Sequence, residues 1–184
     1  VDSPWAQSAV LDRGRYDAEG NMTAQPDPSQ FHAWLDRWPG ALNKDNFPGA
    51  RNYCVFAAVG ESFGGHKMGT PAFKRAVSAW ITWWAGQLGK WNISPERLHL
   101  LLVDEPHNAQ MDHVIIEYAR AIRSAQTGVR IWEDPTWSDP TKASPELFEV
   151  SHVLCPNRPM WLDHREVFDK FYPAQKKAGR RLWL

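Results

Sequence analysis

At 184 residues, the chain is long enough to form one domain with a sizeable hydrophobic core. Its 21 acidic and 21 basic side chains balance, which excludes the strong net charge typical of nucleic-acid-binding and anionic-membrane-binding proteins. Since no apolar stretch approaches the length of a membrane-spanning helix, we expect a soluble protein without membrane insertion and without a nucleic-acid partner.

The two cysteines and the chain ends leave the cellular compartment undecided. Cys54 and Cys155 each stand in an apolar, strand-like run, which is typical of buried thiols rather than of a disulfide framework. The first residues, VDSPWAQSAV, have neither the basic nor the apolar region of a signal peptide. The end, Arg180 to Leu184, resembles a strand cut short. We therefore expect part of a longer protein, for which secretion or a periplasmic location stays open.

Apolar periodicity and helix caps predict alternating helices and strands after a loop-rich N-terminal segment, residues 1–27, in which only 9–11 hint at a strand. Pro39 and Gly40 are predicted to stop the first helix, and Thr70 to cap the second. The predicted helices are 28–38, 71–91, 111–125, 144–150 and 165–178. The predicted strands are 53–59, 98–103, 129–132, 151–155 and 181–184.

This alternation predicts an α/β fold with right-handed crossovers and a parallel sheet, either an open doubly wound sheet or a (β/α)8 TIM-type barrel. The segment GESFGGHKMG lacks the dinucleotide-binding and P-loop glycine patterns, which weakens the doubly wound alternative. Acids, Trp and Asn instead recur at successive strand ends, as around the opening of a barrel. We therefore predict that residues 28–184 form a partial barrel of about five to six parallel strands, because a complete one needs roughly 250 residues.

The most informative segment is LLVDEPH, where an apolar strand stops at two adjacent acids, Asp104 and Glu105. Pro106 then ends the strand because it has no N–H to donate. In α/β proteins, catalytic residues collect at the carboxyl ends of such strands, so the pair is a candidate catalytic site. The alternative interpretation is that one of the two acids only caps the next helix.

A second acid pair before a proline, Glu133-Asp134-Pro135, follows the next strand. Of the 11 tryptophans, Trp80, Trp83 and Trp84 have helical spacing and are expected to pack in the core. Trp132, Trp137 and Trp161 lie at strand ends or in the loops beyond them. Because indole faces stack well on sugar rings, these three are predicted to bind substrate.

Three segments carry a resemblance to a known family: LLVDEP, the upstream YCVFAAVG and the downstream VRIWEDP. Residues 15–184 resemble the catalytic barrel of glycoside hydrolase family 123, the β-N-acetylgalactosaminidases. The resemblance implies that Glu105 is the general acid/base and that Asp104 orients and stabilises the 2-acetamido group of the substrate. The chain departs from the family in lacking the opening strands, the closing strand and the accessory β-rich domain.

The resemblance predicts hydrolysis of β-linked N-acetylhexosaminides of the GalNAc type, with retention and with the acetamido oxygen as nucleophile. Two alternatives stay open: a two-carboxylate glycosidase using Glu105 and Glu133, and a non-catalytic carbohydrate-binding or structural barrel. Besides the three tryptophans, we expect Glu133, Asn157 and His107 to contact a glycan substrate. The spacing of His107, Asp112 and His113 matches no common metal motif, so we predict no metal and no cofactor.

Overall fold

The computed structural model describes residues 3–38 and 50–183, and its main feature is a six-stranded parallel sheet. The sheet order follows the chain without a reversal. Every neighbouring pair is parallel. The strands are β1 (Trp5–Gln7), β2 (Tyr53–Phe56), β3 (Leu98–Leu101), β4 (Arg130–Glu133), β5 (Val153–Leu154) and β6 (Arg181–Leu182). The predicted α/β class with a parallel sheet of five to six strands is therefore confirmed.

The described residues form six α-helices, and five of these lie where the sequence predicted helices. They are α1 (Ser29–Leu35), α2 (Pro71–Lys90), α3 (Ala109–Ser124), α4 (Pro145–Val150), α5 (Arg158–Asp163) and α6 (Arg165–Lys177). None of these described helices has the length and apolar character needed to cross a membrane. The sequence did not predict α5.

The two faces of the sheet carry different side chains. Val55, Leu100 and Ile131 are register partners on β2, β3 and β4, and they join the hydrophobic core with buried residues of α2 and α3. Their chain neighbours alternate to the opposite face, where His99 lies beside Cys54 in the register. The helices thus cover the face that carries the aliphatic core.

The sheet is curled toward the opposite face. The rings of His99 on β3 and Trp183 after β6 have centroids 5.1 Å apart, although β4 and β5 lie between those strands. In a flat sheet three strand spacings amount to roughly 14 Å. Curling brings residues of distant strands together on the inner face, and it places the carboxyl ends of the strands around a common edge.

The N-terminal segment differs from its prediction. Its strand is Trp5–Gln7, which pairs with β2, whereas residues 9–11 include the end of a short 3-10 helix, Ser8–Val10. Pairing with the distant β2 backbone decides this strand, and a local pattern does not reveal such pairing. A small antiparallel hairpin joins Arg15–Tyr16 to Met22–Ala24.

Thr70 caps α2 as predicted, since its hydroxyl accepts the Phe73 N–H at 3.2 Å. Residues 61–69, between the predicted strand 53–59 and the predicted helix 71–91, contain a second hairpin, Ser62–Phe63 with His66–Lys67. The first helix ends at Leu35 rather than Trp38, and its predicted stop at Pro39 and Gly40 lies outside the described residues. The strands of the sheet are mostly shorter than the apolar runs that predicted them, because only residues with paired backbones count as strand.

Candidate functional site

Asp104 and Glu105 lie just beyond the carboxyl end of β3, and both side chains are exposed. Neither acid caps α3. That position belongs to Asn108, whose side-chain oxygen accepts the Met111 N–H at 3.0 Å. The capping interpretation of the acid pair is therefore wrong, and both carboxylates are free to meet a ligand.

Glu105 has a left-handed backbone with φ 49°, which costs a non-glycine residue about 1–2 kcal/mol. Hydrogen bonds from the loop after β4 accompany this conformation. The Glu105 N–H donates to Asp134 Oδ1 at 3.0 Å, and the Thr136 hydroxyl donates to the Glu105 carbonyl at 3.0 Å. The Thr136 N–H donates to the Pro106 carbonyl at 2.9 Å, so the loops after β3 and β4 form one hydrogen-bonded unit.

Glu133, the last residue of β4, is fully buried at 0% exposure. Its Oε1 accepts the Leu102 N–H at 3.1 Å, and its Oε2 has no partner among the described residues. Burial raises the pKa of Glu133 well above its ordinary value, and the negative charges of Asp134 and Asp104 raise it further. The structure thus encloses this carboxyl in protein, whereas the sequence predicted that Glu133 contacts a substrate.

Asp134 is only partly buried, and it connects the two acid pairs. Burial raises its pKa to about 7, with smaller contributions from the charges of Asp104 and Glu105. The hydrogen bond from the Glu105 N–H acts in the opposite direction. Asp134 was not among the predicted site residues. The signal that could have identified it is the acid-acid-proline pattern, which Glu133-Asp134-Pro135 repeats.

The three predicted sugar-binding tryptophans have separate protein partners. Trp132 lies on the inner face of the sheet, 6.0 Å from the ring of Trp183. Trp137 donates its indole N–H to Asp112 Oδ1 at 3.2 Å. Trp161 lies within α5 rather than in a loop, and it stacks on Tyr172 at 5.3 Å. The described contacts therefore do not gather these indoles into one surface at the acid pair.

The other two residues predicted to contact a glycan, His107 and Asn157, have different hydrogen-bond partners. The ring N–H of His107 donates to the Glu105 carbonyl at 2.8 Å, so this exposed side chain lies beside the acid pair Asp104 and Glu105. Asn157 instead caps α5 by accepting the Met160 N–H at 3.2 Å. Its side chain therefore has a structural role at the start of α5.

Within residues 3–38 and 50–183, no three His, Cys, Asp or Glu side chains are placed to hold a metal ion. Asp112, from the spacing considered for a metal, is buried at 1% exposure and holds Trp137 and the Ser144 N–H instead. Cys54 and Cys155 are free thiols, and burial raises the pKa of Cys54 to about 12. Their described surroundings favour unreactive, protonated thiols.

The acid cluster, Asp104, Glu105, Glu133 and Asp134, lies at the carboxyl ends of β3 and β4. Four cavities of about 220 to 370 Å³ lie elsewhere on the molecule, and their lining residues include none of the four clustered acids. The arrangement therefore presents two exposed carboxylates, one partly buried carboxyl with a pKa of about 7 and one buried carboxyl along a single edge. Such a set is suited to proton transfer and to stabilising positive charge on a ligand.

No model of a known protein family matches this sequence, and no curated protein matches it significantly. The resemblance to glycoside hydrolase family 123 therefore rests on the LLVDEP, YCVFAAVG and VRIWEDP segments alone.

Proposed function

We propose that the protein is a glycoside hydrolase acting on β-linked N-acetylhexosaminides of the GalNAc type, by substrate-assisted catalysis with retention. Glu105 protonates the leaving oxygen and then activates water. Asp104 stabilises the positive charge that develops on the acetamido group as its oxygen attacks the anomeric carbon. The proposal rests on one observation above all: two adjacent, exposed carboxylates follow a buried parallel strand without serving as a helix cap.

The conformation of the acid pair supports two different roles. In an extended strand, neighbouring side chains point to opposite faces. Asp104 and Glu105 lie after the end of β3, and the left-handed backbone at Glu105 departs from strand geometry. Both carboxylates are exposed, so a donor and a charge-stabilising group are available from consecutive residues.

The burial of Glu133 favours the substrate-assisted mechanism over a two-carboxylate mechanism. A protein nucleophile must touch the anomeric carbon, whereas Glu133 has no exposed surface and accepts a backbone N–H from the neighbouring strand. Its raised pKa further opposes the ionised form that a nucleophile needs. The acetamido oxygen of the substrate supplies the missing nucleophile.

We also propose that the sheet is the wall of a (β/α)8-type barrel. Three observations support this architecture. The strand order follows the chain, helices cover the aliphatic face of the sheet, and the sheet curls toward its other face. In such barrels the active site lies at the carboxyl ends of the strands, which is where the acid cluster stands.

The test of Glu105 uses N-acetylgalactosaminides with poor and good leaving groups. Glu105→Gln should lower kcat/KM by roughly 10²- to 10⁴-fold for an alkyl or glycosyl leaving group, and much less for nitrophenolate, which needs no proton. Glu166→Gln, at an exposed acid on α6, is the matched control and should behave as the wild type. Wild-type protein that binds the sugar without cleaving any of these substrates would establish the non-catalytic alternative.

Asp104→Asn should lower kcat with little change in KM, because its charge acts mainly in the transition state. A substrate with a 2-hydroxyl in place of the acetamido group should be cleaved poorly. Efficient cleavage of that substrate, together with a loss in Glu133→Gln as deep as in Glu105→Gln, would overturn the substrate-assisted mechanism in favour of two carboxylates.

A further inference from the structure

We propose that Asp134 is a positioning residue for Glu105: its carboxyl group accepts the Glu105 N–H, and its protonation state adjusts the strength of that link. The consequence for catalysis rests on the function proposed above. The link itself is a property of the described structure and is testable without any substrate.

The geometry places the carboxyl group of Asp134 against the backbone of the left-handed residue Glu105. The Glu105 N–H donates to Asp134 Oδ1 at 3.0 Å across 29 residues of chain. Thr136 fixes the other side of the same peptide segment through its hydroxyl and its N–H, which donate to the Glu105 and Pro106 carbonyls. The turn that carries the acid pair is therefore held by the loop of the next strand.

The surroundings of Asp134 set how readily it ionises. Asp104 and Glu105 face it from the loop after β3, Glu133 precedes it on β4, and Cys155 faces it from the end of β5. None of these groups is positive. Burial is the largest cause of the raised pKa of Asp134, about 7, and the charges of Asp104 and Glu105 raise it further. Near neutral pH, a small change in pH therefore changes the charge of this acceptor.

The sign of the effect follows from hydrogen-bond chemistry. An ionised carboxylate accepts an N–H more strongly than a neutral carboxyl group. As pH rises through about 7, the link to the Glu105 N–H should strengthen, and the amide proton of Glu105 should move downfield. The turn at Glu105 is then held more firmly above that pH than below it.

The decisive measurement is the pH titration of the Glu105 amide by ¹H–¹⁵N NMR on the whole chain. The wild type should show a downfield shift with a midpoint near 7. Asp134→Asn keeps the size and an oxygen acceptor but removes the titration, so the step near 7 should disappear. A wild-type amide without that step, or an identical step in Asp134→Asn, would overturn the proposal.

His107 requires its own control, because its ring contacts the Glu105 carbonyl. His107→Gln should retain the midpoint near 7. If the step disappears in His107→Gln and persists in Asp134→Asn, the histidine rather than Asp134 controls the turn, and the proposal fails.

Hydrolysis provides the second readout. Asp134→Ala removes the acceptor and should lower kcat by up to roughly 10²-fold with KM little changed, because Glu105 is misplaced while substrate contacts stay. Asp134→Asn should recover most of that loss and flatten the part of the pH profile near 7. Thr136→Val removes only the hydroxyl link and should give a smaller loss. An inactive wild type would refute the proposed function, while the amide titration would still decide the role of Asp134.

Discussion

Burial separates four carboxyl groups that the sequence presents as two equivalent pairs. Asp104 and Glu105 are exposed, Asp134 is partly buried, and Glu133 is fully buried. The free energy of ionisation rises as water is removed, so the pKa values of Asp134 and Glu133 lie above their ordinary values. At the scale of single residues, solvent access rather than residue type decides which acid is available for chemistry.

The raised pKa values predict that the contribution of these two carboxyl groups to stability decreases with rising pH. Both groups bind protons more tightly in the folded chain, so their contribution is complete below their ordinary pKa values and is lost as pH rises toward the folded values. For Asp134 that interval runs from about 4 to about 7. The difference in the free energy of unfolding between the wild type and Asp134→Asn, measured by urea titration, should therefore be lower at pH 8 than at pH 5. Taking this difference cancels the opposite effect of His99 and His152, because burial lowers the pKa of each to about 4.

Glu133→Gln should remove the contribution of Glu133 to this pH dependence, because glutamine does not ionise. We expect the stability of the variant relative to the wild type to be higher at pH 8 than at pH 5, because only the wild type has a buried group that rising pH drives toward ionisation. Glu166→Gln at an exposed position should leave the pH dependence unchanged. Parallel pH curves for wild type and Glu133→Gln would contradict the burial argument.

Among the described α-helices, three begin with a side chain that caps them. Thr70, Asn108 and Asn157 each accept the N–H three residues later, at the starts of α2, α3 and α5. These caps follow loops at the carboxyl ends of β2, β3 and β5, so each cap also fixes where a loop stops. Asn108 in this way sets the length of the segment that carries the acid pair.

Thr70→Ala should lower the free energy of unfolding by about 1 kcal/mol, within a usual range of roughly 0.5–2, because the Phe73 N–H loses its acceptor. Thr70→Ser keeps a hydroxyl and should lose much less. The Glu105 amide titration should be the same in both variants, since Thr70 lies in a different loop. Equal stability of Thr70→Ala and the wild type would contradict the role of the cap.

Across the whole molecule, the N-terminal segment is held to the main body by a shared acceptor. The indole N–H groups of Trp80 and Trp84 on α2 both donate to the Asp12 carbonyl, at 3.0 and 3.1 Å. Next to it, Arg13 donates to the carbonyls of Ala57 and Ala58, just beyond β2. These contacts span more than 40 residues of chain and join the segment to the carboxyl side of the sheet.

The shared acceptor predicts that losses at the two tryptophans are not additive. Trp80→Phe and Trp84→Phe each leave the Asp12 carbonyl with one donor, whereas the double variant leaves it with neither. The double variant should lose roughly 0.5–1.5 kcal/mol more than the sum of the single losses. A double-mutant cycle by urea unfolding measures this coupling, and strict additivity would show that the shared carbonyl contributes nothing.

By itself, the sequence determined the features that depend on neighbours in the chain. The apolar runs located five of the six strands of the sheet, Thr70 marked a helix start, and the acid-acid-proline pattern identified the strand end that carries Asp104 and Glu105. Apolar runs and caps act over a few residues, so their signals are visible in one dimension.

Only the tertiary structure decided what depends on residues far apart in the chain. It placed Trp5–Gln7 beside β2, enclosed Glu133 beside Leu102, and brought Asp134 to the Glu105 N–H. The acid pairs look alike in sequence, yet one is exposed and the other is largely withdrawn from solvent. The physical reason is that burial, and with it the free energy of ionisation, depends on which strands and loops pack around a carboxyl group.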